Sequence, residues 1–364
     1  MDARTLARRL VETPSHEDTD AATTLLSQWL TDNTDASVRV DDHGNVFARR
    51  GEGDSSLALV GHHDVVPPDD GQISDGSYVL AERDGRLHGR GSADMKGSLA
   101  AAACAFRDAD PAGELVFASF IGEEQGGVGC RAAIDAGFSP DYAVVGEGST
   151  GYSAPGVTDV AVAHKGRRAV TVTAEGSAAH ASEPAAGDNA IYHASDAVQR
   201  IRDLPTPSTT VLGTDLDGSV VVTEIDGGSA WNVVPESCTV TVDERTVPGE
   251  RAPFEAVEAV DGVSVTVEQD LPPMACGDPA FAEAVTAAAD AAQDGTSEQV
   301  VKPHATDAGW LAARAGTTCV VCGAAEPGEA HTATESVSLS VVDRCKRLYQ
   351  RVAESWPQPT KRKN

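Results

Sequence analysis

At 364 residues the chain is two to three times a typical domain, which excludes one small module and leads to an expectation of two domains. Its 56 Asp and Glu against 28 Lys and Arg give a formal charge of -28, which argues against nucleic acid and membrane surfaces as partners, while 41% hydrophobic residues argue against disorder. Lysine is scarce and aromatics make up 4%, a pattern expected of a halophilic protein, because molar salt shortens the screening length to roughly 3 Å.

The N-terminus, residues 1–15, lacks the apolar stretch of a signal peptide, and no run elsewhere approaches the roughly 18 apolar residues of a membrane span, so a cytoplasmic location is expected. A helical period covers residues 3–30, followed by strands at 37–49 and 57–60. A Gly-rich loop then leads into a helix at 98–108, and strands at 114–121 and 142–146 flank a helix at 129–136. Such alternation implies an α/β layer with its functional loops at the carboxyl ends of the strands. The pattern changes near Asp159. Strands at 160–164, 169–174, 219–225, 238–245 and 263–268, with helices at 189–202 and 253–259, suggest a small α+β sandwich inserted into the larger domain. The α/β pattern resumes with helices at 279–292 and 308–315, a strand at 317–321 and a helix at 338–353; the basic tail 356–364 is expected to be solvated. The expected domains are therefore 1–158 with 270–364, and the insertion 159–269.

Seven cysteines at irregular spacing do not form a disulfide framework. Cys319 and Cys322 form a C-x-x-C, but in an apolar run that reads as a buried strand, with no second cysteine pair or nearby histidine to complete a zinc site.

Clusters of histidine and carboxylate follow the expected strands. His62 and Asp64 stand two apart, so that in extended chain both point the same way, one able to bind metal while the other orients it. In Gly89-Arg90-Gly91-Ser92-Ala93-Asp94-Met95-Lys96-Gly97 the glycines permit a tight turn that aims Asp94 inward. The spacing is neither that of a P-loop nor that of a dinucleotide fingerprint. Glu123 and Glu124 lie between glycines after a third strand, Glu147 ends a fourth, and His331 stands beyond the strand carrying Cys319. Two histidines and three carboxylates suit zinc.

This ordered set of motifs resembles the M20 family of co-catalytic metallohydrolases, the group containing succinyl-diaminopimelate desuccinylase, acetylornithine deacetylase, aminoacylase and the glutamate carboxypeptidases. The resemblance implies an α/β zinc-hydrolase domain with a mixed central sheet, plus an inserted ferredoxin-like domain serving as lid and dimer contact. It implies two zinc ions per subunit, replaceable by cobalt: His62 and Glu147 on one, Glu124 and His331 on the other, Asp94 bridging, with a cis Asp94–Met95 peptide. Asp64 is then the residue that orients His62, and Glu123 the general base that carries a proton from water to the leaving nitrogen. Gly176-Ser177-Ala178-Ala179-His180-Ala181-Ser182 resembles the segment whose histidine polarises the scissile carbonyl in a neighbouring subunit, so a homodimer is implied. Asn232 and Arg245 match substrate anchors, a guanidinium being suited to a carboxylate.

The implied reaction is hydrolysis of the amide of an N-acyl amino acid, first of all N-succinyl-diaminopimelate in lysine biosynthesis. The alternatives are acetylornithine deacetylation, a related N-acyl-lysine or N-acyl-ornithine hydrolysis, or dipeptidase or carboxypeptidase action, and more distantly a non-catalytic binding protein. The chain departs from the desuccinylases around Thr306-Asp307, lacks their asparagine before Glu335, and has Gly148 where proline commonly follows the ligand. Lys165, Arg167 and Arg168 are cations for either a dicarboxylate substrate or the acidic surface.

Overall fold

Pro14 divides the first helical stretch, because its ring cannot continue a helix and forces the preceding residue into extended backbone. The computed structural model, which describes residues 1–74 and 76–356, accordingly has two helices, Ala3–Glu12 and Asp20–Asn33, where the period suggests one. The stretch 37–49 is likewise two strands, Ser37–Val40 and Val46–Arg50. Asp41 turns the chain between them by accepting the backbone N–H groups of His43 and Asn45.

The chain forms two compact units. One comprises residues 1–163, 274–302 and the chain from 306 on; the other comprises 164–273 and 303–305. The first unit is built on a nine-stranded mixed sheet. Its centre is four parallel strands in the order Glu114–Phe120, Ser56–His62, Tyr142–Val145 and Thr318–Val321. Val46–Arg50 pairs antiparallel on one side and Val160–His164 on the other. Ser56–His62 is buried along its whole length, as befits a strand covered on both faces. Phe47, Val60, Phe120, Val145 and Val321 share a core with Cys130 of helix Val128–Asp135 and with Leu311. Helix Gly97–Asp108, rich in small residues, is buried at every position from Gly97 to Phe106.

Residues 160–163 belong to this sheet, where Ala161 pairs with Val321, so the second unit begins at His164 rather than Asp159. It ends at Pro273 because the strand Val263–Leu271 runs past residue 269. The expected helix 308–315 is one α turn, Asp307–Trp310, continued by a wider turn over Leu311–Ala315 and stopped at Gly316, whose φ is +70°. Short strands at Ala81–Arg83, Arg86–His88 and Ser336–Ser338 form a small sheet that the sequence pattern does not signal. Trp356 is not simply solvated: its ring lies against Tyr142 and Phe281. The rest of the basic tail lies outside the described residues. All seven cysteines are free and buried. Among the described residues, no helix is long and apolar enough to cross a membrane.

The second unit is a four-stranded antiparallel sheet in the order Ser219–Gly227, Ser237–Thr246, Gly166–Glu175, Val263–Leu271. Helix Ala190–Arg202 and the 3-10 turn Phe254–Ala259 supply Ala194, Ala197, Ile201, Phe254 and Val257 to a core with Val170, Val172, Val240 and Val242. The chain order strand, helix, strand, strand, helical turn, strand is that of a ferredoxin-like sandwich. An additional hairpin, Ser208–Val211 with Thr214–Asp217, follows the helix.

Candidate active site

Four parallel strands ending side by side bring their carboxyl-terminal residues to one rim of the sheet. His62 is the last residue of its strand and is buried. Glu123 and Glu124 follow Phe120 across Gly122, which takes a φ of +62° to turn the chain. Glu147 comes two residues after Val145, and His331 lies in the long loop beyond Val321.

Asp94 joins these groups. One carboxylate oxygen, Oδ1, is 3.0 Å from His62 Nε2, and the other, Oδ2, is 3.2 Å from His331 Nε2. His62 Nε2 also faces Glu147 Oε1 at 3.2 Å, and His331 Nε2 faces Glu124 Oε1 at 2.9 Å. The result is two groups, His62 with Asp94 and Glu147, and His331 with Asp94 and Glu124; within each, the donor atoms lie within 4.8 Å of one another. The Asp94–Met95 peptide is cis.

Asp64 lies behind both groups. His62 Nδ1 donates to its backbone oxygen at 3.0 Å, nearer than the carboxylate Oδ1 at 3.5 Å. The Asp64 carboxylate is also turned to the Glu123–Glu124 loop, accepting their backbone N–H groups at 3.3 and 3.2 Å. It therefore ties His62 to that loop, which is a larger part than orienting the imidazole alone.

Burial by itself disfavours a proton on His62, yet the carboxylates of Asp64, Asp94 and Glu147 hold its pKa well above the usual histidine range. Hydrogen bonds to Asp94 and Glu124 raise His331 to about 10. Burial raises Glu123 well above the ordinary carboxylate range; His62 opposes this, while Glu147, Asp307 and Asp94 add to it. So much negative charge gathered with two imidazoles is a donor set made for cations, and each group offers one nitrogen and two carboxylate oxygens. Glu123 belongs to neither group.

The matching family model, described as "Peptidase family M20/M25/M40", covers residues 58–355. This chain belongs to the M20 family. It is 31% identical over 267 residues to the acetylornithine deacetylase of Proteus mirabilis, covering 67% of each chain. Its fold is that of an aminopeptidase from Bacillus cereus (TM-score 0.79, 20% identity, 97% of each chain covered). It is also that of a dinuclear metal-binding M20 peptidase from Bacillus subtilis (TM-score 0.70, 15% identity, 97% of this chain and 96% of that one). The protein is thus an M20 metal-dependent hydrolase.

The remaining expected residues of this M20 hydrolase lie in the second unit. His180 is exposed; its Nδ1 lies 2.7 Å from Ser182 Oγ and 3.2 Å from the Ser182 backbone N–H. Asn232 lies on the neighbouring turn, where its backbone oxygen accepts Ala181 N–H at 2.9 Å. Arg245 donates to Asp243 at 2.8 Å, and Arg167 donates to the same carboxylate at 2.7 Å. Arg168 is bound to the buried Glu244. Of the basic stretch from Lys165, both guanidiniums are thus engaged within the sheet.

Two further acids, Glu335 and Asp307, belong to the surroundings of the site. Glu335, noted only as a departure, is 1% exposed and accepts the backbone N–H groups of Gly91, Ala93 and Asp94 together with Arg90 Nη1. Asp307 is buried with neither carboxylate oxygen bonded, and burial pushes its pKa to about 7. Glu335 is marked by its long-range hydrogen bonds and Asp307 by its burial, neither of which a local pattern signals.

Proposed function

We propose that this M20 hydrolase cleaves the amide bond of an N-acyl amino acid, with zinc as its metal, two ions per subunit and cobalt able to replace them. One observation carries the reading: the two oxygens of Asp94 are divided between two histidine and glutamate pairs, while the adjacent Glu123 stays outside both. His62 and Glu147 would hold one ion, His331 and Glu124 the other, with Asp94 shared. The donor set, imidazole and carboxylate without thiolate, fits zinc. When bound, the ions supply Lewis acidity toward the carbonyl and the attacking water.

Glu123, on the loop whose backbone N–H groups bond Asp64, takes the proton of the attacking water and returns it to the leaving nitrogen. A raised pKa suits it to both halves of that transfer. His180 acts as donor to the carbonyl oxygen of a substrate in a neighbouring subunit, so the working form is a homodimer through the second unit. Asn232 and Arg245 anchor the substrate, Arg245 by exchanging Asp243 for a substrate carboxylate. The protein acts on small molecules in the cytoplasm.

Similarity to acetylornithine deacetylase favours an N-acetylated basic amino acid, and the departures near Thr306 and Glu335 weaken the case for N-succinyl-diaminopimelate. The test is a panel of N-acetylornithine, N-succinyl-diaminopimelate, N-acetyl-lysine and dipeptides, assayed with zinc-loaded protein at molar KCl. Turnover of an N-acyl amino acid supports the reading; cleavage of dipeptides alone overturns it.

A further inference from the structure

Glu147 has two oxygens, and the two are held by different partners. Oε1 faces His62 Nε2 at 3.2 Å, while Oε2 lies 3.4 Å from the ammonium of Lys302. Lys302 ends the strand Gln299–Lys302 of the first unit. Its Nζ also donates to the backbone oxygen of Gly148 at 2.9 Å, so the ammonium is fixed by the main chain as well as by the carboxylate. That main chain is itself closely packed. A Cβ on Gly148 would lie 2.7 Å from Ala325 Cβ and 2.8 Å from Ala325 O, so the segment fits against its neighbour without room for a side chain.

Lys302 is 6% exposed and Glu147 7%. A buried ion pair adds little to stability, because desolvation consumes most of the attraction, so stability alone is a weak reason to place one of six lysines here. Its chemical consequence is specific. Of the two glutamates in the metal groups, Glu147 has a cation on its outer oxygen, whereas Glu124 is paired, among the described residues, with His331 alone.

We propose that Lys302 is a positioning residue that holds Glu147 to one-oxygen coordination at the His62 metal position. The inference rests on the metal-dependent reading above. Lys302 fixes the outer oxygen, leaves Oε1 aimed at the ion, and makes the two metal positions unequal in charge and in carboxylate freedom. Simple charge repulsion would have the lysine weaken cation binding. Positioning has the opposite sign: without the ammonium, Glu147 rotates or binds through both oxygens, and loss of such a supporting contact costs about 10- to 100-fold in metal affinity.

The test is titration of cobalt(II) into metal-free wild type, Lys302→Met and Lys302→Gln, followed by calorimetry and visible absorption, with circular dichroism to verify folding. Wild type should take up two equivalents. In Lys302→Met one equivalent should bind about 10- to 100-fold more weakly and show an altered cobalt band, the other remaining unchanged; Lys302→Gln, which keeps a donor for Glu147, should lie between them. Unchanged or tighter binding with an unchanged spectrum, in whichever variant folds, overturns the proposal. Failure of wild type to bind cobalt at all would instead overturn the metal-dependent reading.

Discussion

Glu335 Oε1 accepts the backbone N–H of Asp94 at 3.1 Å, and so fixes the residue that both metal groups share. The same carboxylate accepts Ala93 N–H at 2.9 Å and, through Oε2, Gly91 N–H at 3.0 Å and Arg90 Nη1 at 2.7 Å. Since Glu335 stands four residues after His331, one side chain ties the loop of Asp94 to that of the second histidine.

Glu335→Ala should therefore be severely destabilising. It leaves Arg90, 2% exposed, without its buried partner and strips three backbone donors of their acceptor, a loss on the order of 3 to 5 kcal/mol. Urea unfolding measures it. A midpoint equal to wild type would show that the tie is dispensable.

Glu123 and Glu124 are neighbours in sequence, and of the two Glu124 alone belongs to a candidate metal group, so separate duties are proposed for them. Glu123→Ala should lower kcat about 10²- to 10⁴-fold with metal content retained, whereas Glu124→Ala should lose one metal equivalent. Metal analysis alongside kinetics separates them; metal loss in Glu123→Ala would reverse the assignment.

The parallel strands and the carboxylates at their ends were legible because both signals are local: apolar runs, followed by glycine and then acid. His62, Glu123, Glu124 and Glu147 stand out by such a pattern, whereas Asp94 and His331 take their expected parts from the resemblance to the M20 motifs. Lys302 and Glu335 could not be read this way, since their meaning lies in partners far along the chain, Lys302 meeting Glu147 across 155 positions and Arg90 meeting Glu335 across 245; Asp307 is marked only by its burial. The short strands after residue 70 escaped notice for a related reason: they are two or three residues long and too brief to establish a period.

His63 supplies a prediction about pH. Its ring bridges Thr23 Oγ1 at 2.9 Å and Ser119 Oγ at 2.8 Å, and burial pushes its pKa down to about 4. Below about pH 6.5 the unfolded chain binds a proton that the folded chain refuses until about pH 4, so this group removes stability as pH falls through that window, by up to roughly 3 kcal/mol. The urea midpoint should fall more steeply from pH 7 to pH 5 in wild type than in His63→Gln. Equal slopes would mean that the ring is protonated in the fold.

The charge of -28 predicts a salt response, because repulsion among surface carboxylates weakens as ions screen it. The melting temperature should rise between low and molar KCl. A temperature that stays level or falls would remove the case for halophilic adaptation.

The decisive measurement is hydrolysis of N-acetylornithine by protein stripped with a chelator and then titrated with zinc at molar KCl, N-succinyl-diaminopimelate being run beside it. Stripped protein should be inactive, with product release restored as zinc binds at the Asp94 centre and complete by two equivalents per chain. Full activity in the stripped protein, or two zinc ions bound with neither substrate cleaved, would contradict it.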